Sequence, residues 1–539
     1  MPDQQPPTTT PWHTGPRPPR SPLTTRLASL AHPRRLFSHS ATRTLLVCTV
    51  LWLLAFGYGR VFLWRDPTSA YFRADDGRVY ELGYSAVRQQ QAREFVAGVV
   101  DGVSRGGDGD DGGPGTESGQ SENGGGGGDR AGDAEGTSKA GPSPALCAAF
   151  IAVRRQEVGE AARLYTADAI GSMLAGLDPR ERAALTVKLL FANTEPARHP
   201  SWHAPWVDPL VDDADGYRGL TGLTTAGLRQ AEADGDVALK GVHDYLYMLE
   251  RCLEETEAPF VAVFQDDVVF AADWMARTLR GLQYLVRDHT QAAGDAPWLY
   301  LRLFYTETNL GWDAEGSWWY AHLPWTLAIS SAGTAVVLLF IRILGLCGRT
   351  SSTTSRHRRP DLPTITILSL LIAPAFTLLF FMTGKHNLPL PHYSLHHPSV
   401  PAPLSAPQSA LAAGVVPMDS NACCAQALVF HRPALAGLIE NMRTRERGDV
   451  HTMVEEYCDA AGLKRFALRE QVVQHVSFGR RAGDDDDVDD KEREAAADKV
   501  WAFWFETNQA EAVEKSHRRV LGEVDWGMFE RLSGVMSNS

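Results

Sequence analysis

The sequence predicts an α/β domain with a largely parallel sheet, carried on one N-terminal transmembrane helix and interrupted by an inserted transmembrane helical hairpin. Three observations predict this. Short apolar runs alternate with helically spaced segments through the middle of the chain. Three apolar stretches match the roughly 20 residues needed to cross a bilayer as a helix. The arginines around those stretches are distributed asymmetrically.

The elements follow in order. Residues Ala145 to Val153 (ALCAAFIAV) form a short apolar run bounded by Arg154 and Arg155, the pattern of a buried strand, and Val158 to Leu174 has helical spacing. Leu185 to Ala192 reads as a second strand and Val242 to Glu255 as an amphipathic helix. Phe260 to Phe264 is a strand that ends in Gln265, Asp266 and Asp267, with a helix over Ala272 to Val286. Trp298 to Tyr305 is a fourth strand. Ala425 to Phe430, the helix Val450 to Ala461 and the strand Val472 to Val476 complete the alternation.

The membrane segments are Thr44 to Trp64, Leu323 to Leu346 and Leu362 to Met382. The 43 residues before the first carry six arginines against one acid, Asp3, so the positive-inside rule leaves the N-terminus in the cytosol. The loop Cys347 to Asp361 contains Arg349, Arg356, Arg358 and Arg359 against one acid and is also expected in the cytosol. Both assignments put 65–322 and 384–539 in the lumen. A cleaved signal peptide is disfavoured because no small-x-small site follows the first apolar run. Pro374 is expected to kink the third span without forbidding it.

Composition sets the remaining boundaries. Ser104 to Pro144 holds 15 glycines in 41 residues and no Val, Ile, Leu, Met or aromatic residue, which predicts a disordered linker after a luminal stem at 65–103. The tail 1–43, the Pro-rich loop 384–417 and the acidic segment 480–500 are expected to be disordered as well. This leaves a working domain in two parts, 145–322 and 418–479, followed by a C-terminal luminal segment, 501–539. A net charge of −13 without a basic, aromatic-interleaved patch argues against nucleic-acid binding. Cys147, Cys252, Cys423, Cys424 and Cys458 lie on the luminal side, where disulfides persist, and the sequence leaves their connectivity open.

The triplet Gln265-Asp266-Asp267 is the most informative in the chain. Ligands of largely parallel sheets bind at the strand C-terminal ends. Two adjacent carboxylates at such a tip repel each other unless a cation lies between them and a ligand, and a hard divalent ion bridging to a diphosphate supplies that cation. The competing reading is that both acids are solvated and favour the start of the following helix.

The apolar strand, acid-rich triplet and following Trp274 resemble the metal-binding acidic motif of GT-A-fold, nucleotide-sugar-dependent glycosyltransferases. With one N-terminal span and a hairpin inserted in the domain, the chain resembles the post-attachment GPI N-acetylgalactosamine transferase family. The supporting stretches are HDYLYMLERCLEETEAPFVAVFQDDV, WLYLRLFYTETNLGW and LREQVVQHVSFG. The resemblance implies a Golgi membrane enzyme with a luminal GT-A-like catalytic domain. Such an enzyme transfers GalNAc or a related hexose from a UDP-sugar, with Mn²⁺ or Mg²⁺, to the glycan of a GPI-anchored glycolipid or protein. It places the metal on Asp266, Asp267 and His475, with a carboxylate base at a helix start after the hairpin. Asp449 is first for that role, ahead of Glu446 and Glu455, although it is also an ordinary helix N-cap. Arg154, Arg155, Gln265 and Asp266 are expected to meet the nucleotide. Gln265 stands where the family commonly has Glu. The alternatives are a non-catalytic membrane protein binding GPI-anchored clients, and an N-glycan N-acetylglucosaminyltransferase-like enzyme.

Overall fold

The computed structural model describes residues 40–73, 76–107, 144–153, 165–218, 222–289, 297–309, 322–344, 360–383, 413–418, 425–477 and 500–536. Arg154 and Arg155 lie outside them, as do most of the Gly-rich and Pro-rich segments and the acidic run.

The chain divides into two compact units, one containing the three apolar helices and the other 63–320 together with 384–539. In the first unit, Ala41–Phe62, Leu323–Leu344 and Leu362–Thr383 are each 22 residues long and apolar enough to cross a membrane. The third is irregular in its middle. A π turn spans Leu368–Ile372, directly before Pro374, which has no N–H to give to the helix ladder. The Trp52 indole of the first helix donates to the Ala375 carbonyl at 2.9 Å, so a neighbouring helix supplies a polar contact at the irregular turn.

The second unit is built on ten strands among the described residues. They are β1 (Leu146–Ala152), β2 (Leu185–Phe191), β3 (Asp213–Asp215), β4 (Phe260–Gln265), β5 (Val268–Phe270), β6 (Trp298–Arg302), β7 (Val415–Pro417), β8 (Ala427–His431), β9 (Lys464–Leu468) and β10 (Val473–His475). The main sheet has the order β3-β2-β1-β4-β8-β6-β9-β7, and β5 pairs with β10 in a separate two-stranded ribbon. Pairing is parallel from β3 through β4 and between β6 and β9, whereas β8 and β7 run against their neighbours. The sheet is mixed and mostly parallel, as the alternation of elements implied.

The principal helices are α1 (Tyr84–Gly107), α2 (Tyr165–Leu174), α3 (Gly222–Asp234), α4 (Val237–Glu255), α5 (Trp274–Tyr284), α6 (Leu435–Arg445), α7 (Val450–Ala460), α8 (Ala510–Leu521) and α9 (Trp526–Met536). They cover both sheet faces because the side-chain period of a strand is two. Leu146, Ala148 and Phe150 of β1 join Ile170 of α2, Trp274 of α5 and Phe529 of α9 in one core. Cys147, Ala149 and Ile151 join Met248 of α4, Leu438 of α6 and Val454 of α7 in the other. Cys147 and Cys252 form a disulfide that ties β1 to α4 across a sequence separation of 105.

Two segments flanking the predicted working domain are tied into the α/β unit. The stem read at 65–103 belongs to the α/β unit, and α1 runs on to Gly107, past the expected linker boundary. Buried Arg88 of α1 donates to the carbonyls of Phe270, Ser172 and Ala175. Arg93 pairs with buried Asp168 at 2.6 Å. A polar-rich, weakly amphipathic helix gives a faint sequence signal, and here one ion pair to buried Asp168 and the Arg88 carbonyl contacts join the apolar packing in fixing it. The C-terminal segment is likewise integral. Trp501, Ala502 and Phe505 are buried, and the Glu307 carboxylate accepts from the Phe503 and Trp504 N–H groups at 2.7 and 3.0 Å.

Candidate active site at the tip of strand β4

Strand β1 lies between β2 and β4, so the chain builds outward on one side of β1 and then crosses to the other. The crevice beyond the C-terminal ends of β1 and β4 is therefore the topological switch point, where doubly wound sheets bind ligands. Ile151 is in register with Gln265, which places the end of β1 level with the acid-rich tip of β4.

Asp266 and Asp267 form the tight turn between β4 and β5. Gln265 is exposed, whereas Asp266 and Asp267 are 3% and 1% exposed. Along β4, alternate residues Phe260, Ala262 and Phe264 face the core that contains α2, and Asp266 continues that side. Its Oδ2 accepts from the Thr166 hydroxyl, at the start of α2, at 3.3 Å. The first turn of α2 thus meets the acid pair with the positive end of its backbone dipole.

The β5–β10 ribbon supplies the third group. His475 pairs in register with Val268, and the Val476 N–H donates to the Asp267 carbonyl at 2.9 Å. This carries a side chain more than 200 positions away onto the acid turn, where His475 Nε2 lies 2.9 Å from Asp267 Oδ2. On the other side of the ring, Ser477 Oγ is 3.1 Å from Nδ1. In a neutral imidazole this arrangement has Nε2–H donating to Asp267 and the Ser477 hydroxyl donating to Nδ1, which fixes the tautomer. The preceding residue points the opposite way. Gln474 bonds the Ala502 backbone through both its amide oxygen and its nitrogen, at 2.9 Å each, and Glu506 at 2.7 Å. Glu506 in turn accepts from Ser85 and from the Gly83 N–H. Burial pushes the Glu506 carboxyl up. The C-terminal segment and the start of α1 therefore hold β10, and β10 holds His475.

Asp449 occupies the N-cap of α7, where its Oδ2 accepts from the Thr452 N–H and hydroxyl, both at 2.8 Å. It is exposed, and α7 enters β9 through a short turn, so its N-cap faces the same sheet end as the β4 tip. Glu446 is exposed at the C-cap of α6 with φ of 56°. Glu455 is buried and committed elsewhere. It bonds Tyr300 at 2.6 Å and Arg302 at 2.8 Å, and it also pairs with Arg465, so two guanidiniums and a phenol occupy its oxygens.

The structure thus brings Asp267 and His475 into direct contact, with Asp266 adjacent in the same turn. Two carboxylates and an imidazole are donors suited to Mn²⁺ or Mg²⁺. Among the described residues, no group of three or more His, Cys, Asp and Glu side chains is arranged to hold a metal ion. The fit therefore rests on donor chemistry. Thr166, Ser477 and Gln474 had no signal in the sequence, since each acts through a partner 28 or more positions away or through a local turn. No family model matches the chain, and no curated protein or solved structure matches it either.

Proposed function

We propose that this membrane protein is a metal-assisted, inverting glycosyltransferase with a GT-A-like luminal domain, acting in the Golgi. Its donor is a UDP-sugar carrying GalNAc or a related hexose, and its acceptor is the glycan of a GPI-anchored glycolipid or protein. The observation that carries this reading is the buried acid pair at the β4 tip, beside the switch point, with His475 seated on Asp267. The Cys147–Cys252 disulfide supports an oxidising compartment for the α/β unit.

Asp266, Asp267 and His475 are the residues to hold a divalent cation. Bound there, Mn²⁺ or Mg²⁺ supplies positive charge against the diphosphate that leaves the sugar. Ser477 orients the His475 ring, and Gln265, exposed beside the acids, offers an amide to the donor. Arg154 and Arg155, directly after β1, are the guanidinium partners assigned to the nucleotide phosphates. Asp449 takes the proton of the acceptor hydroxyl as its oxygen attacks the anomeric carbon and the bond to UDP breaks. The hairpin gives a reason for a lipid-anchored acceptor, since it keeps the enzyme at the bilayer where that acceptor resides.

The test is transfer of radiolabelled sugar from UDP-GalNAc to a GPI glycan by the purified full chain with Mn²⁺. Turnover that EDTA abolishes and Mn²⁺ restores is the expected result. Absence of both transfer and donor hydrolysis, or activity indifferent to EDTA, would sink the metal-assisted reading and leave the client-binding one.

A further inference from the structure

A groove of about 380 Å³ runs along the outer side of α4, within the roughly 300–1,000 Å³ typical of small-molecule sites. It lies on the half of α4 that approaches the start of β4, at the other end of that strand from Asp266 and Asp267. Two parallel rows of side chains form it. His243, Tyr247 and Arg251 recur every four residues and stand on one helix face, while Leu246, Glu250 and Glu254 form the adjoining row. Arg218 closes one side.

The chemistry of this groove is selective. Its two guanidiniums and two carboxylates cancel, so it has no net attraction for a phosphate or nucleotide. Most charged heads are already fixed. Arg251 bonds Asp213 and Glu255, Arg218 bonds Asp213 at 2.9 Å and also Asp215, and Glu250 bonds Arg443 at 2.9 Å. Glu254 is exposed and has no ion-pair partner among the described residues. The His243 and Tyr247 rings are near-parallel, with planes 14° apart and centroids 6.3 Å apart, and Tyr217 meets Tyr247 edge-on at 5.4 Å. The Tyr247 hydroxyl is held by the Arg218 N–H at 2.7 Å. The His243 Nδ1 atom is buried without a hydrogen-bond partner among the described residues.

From this arrangement we infer that the α4 groove is a second binding site, for a neutral polyhydroxylated ligand: a short oligosaccharide. The half-buried His243 and Tyr247 rings are held in place, with the Arg251 guanidinium 5.8 Å over the Tyr247 centroid, and their remaining exposed surface is apolar footing for the C–H side of a sugar ring, while carboxylates and guanidiniums offer acceptors and donors to its hydroxyls. From Leu246 to Glu254 the helix rises about 12 Å, enough for more than one sugar ring. The site is independent of the reaction proposed above, because it shares no residue with the β4 tip.

The test is saturation-transfer difference NMR on the full chain in detergent micelles, with mannotriose as the neutral probe and inorganic pyrophosphate as a competitor. Mannotriose is expected to receive saturation that pyrophosphate leaves unchanged. Tyr247→Ala should weaken its binding about tenfold, the size of effect expected from losing one ring contact. Glu254→Gln, at an exposed position that leaves the fold alone, should weaken it measurably. No saturation transfer, transfer unchanged in both variants, or displacement by pyrophosphate would each overturn the assignment.

Discussion

The same residue types take opposite positions in the two units. Leu54, Ile329 and Leu370 of the apolar helices are 66%, 70% and 69% exposed, whereas Val263 and Leu301 of the sheet are 2% and 0% exposed. Exposed rows of this kind over 22-residue helices suit a surrounding solvent of hydrocarbon, which these helices are long and apolar enough to cross. The α/β unit is folded against water and does what the helices avoid: it buries charge. Arg302 is fully buried on Tyr300 and Glu455, and His517 bonds buried Glu181 at 2.8 Å. A helix in lipid satisfies its polar backbone internally, whereas a sheet domain gains specificity by burying polar groups that have partners.

Four experiments break or sharpen this contrast. The largest effect is expected at the β4 tip, where the proposed function assigns the buried acid Asp267 to chemistry rather than packing. Asp267→Ala should lower sugar transfer by on the order of 10³-fold or more while keeping a cooperative unfolding transition, because charge neutralisation at the leaving group is lost. Gln265→Glu should match or exceed the wild type. Near-normal transfer in Asp267→Ala would show that the acid pair is structural.

Placing one charge in each unit tests the solvents directly. Val263→Asp puts a carboxylate in the middle of β4 among apolar side chains and should cost several kcal/mol, read as loss of the folded α/β unit. Ile329→Asp should leave that unit folded and instead cost about 2.5–3.5 kcal/mol of insertion, read as the inserted fraction in microsomes. If Ile329→Asp inserts as well as the wild type, this helix does not face lipid.

Cys252→Ser removes the link between β1 and α4. It should destabilise the α/β unit by about 2–4 kcal/mol, seen as a lower midpoint in chemical denaturation, with no effect on insertion of the apolar helices.

The smallest effect is pH-dependent. Burial pushes the Glu307 carboxyl up to about 8, against the Trp504 and Phe503 N–H donors that pull it down. Its folded value lies above the unfolded one of 4.5, so its contribution to stability is complete below that pH and is lost as pH rises through about 8. The melting temperature of the wild type should therefore fall between about pH 4.5 and pH 8 and level off above that, and Glu307→Gln should flatten that fall. An unchanged slope in the variant would assign the titration to another group.

The legible parts of the chain share a cause. Strand β4 and helix α7 announce themselves because their apolar spacing is dictated by residues in the same segment, and the acid pair stands out because two carboxylates at a strand end are chemically unusual. Strand β9 escaped because KRFAL carries two cations, one of which, Arg465, is buried only through Glu455 and Asp459. Helix α1 escaped for a related reason. Its Arg88 is buried by three carbonyls from α2, the turn after it and β5.

By itself the sequence determined the alternation of strands and helices, the three apolar helices and the position of Asp266 and Asp267 at a strand tip. Each of these follows from local periodicity, local hydropathy or local charge. Only the tertiary structure decided that β1 lies beside β4, that His475 rests on Asp267, and that the C-terminal segment and α1 hold β10 in place. Those facts depend on pairings between residues far apart in the chain. A loop can be closed over any such distance for a slowly growing entropic cost, so spacing in the sequence does not encode which partners meet.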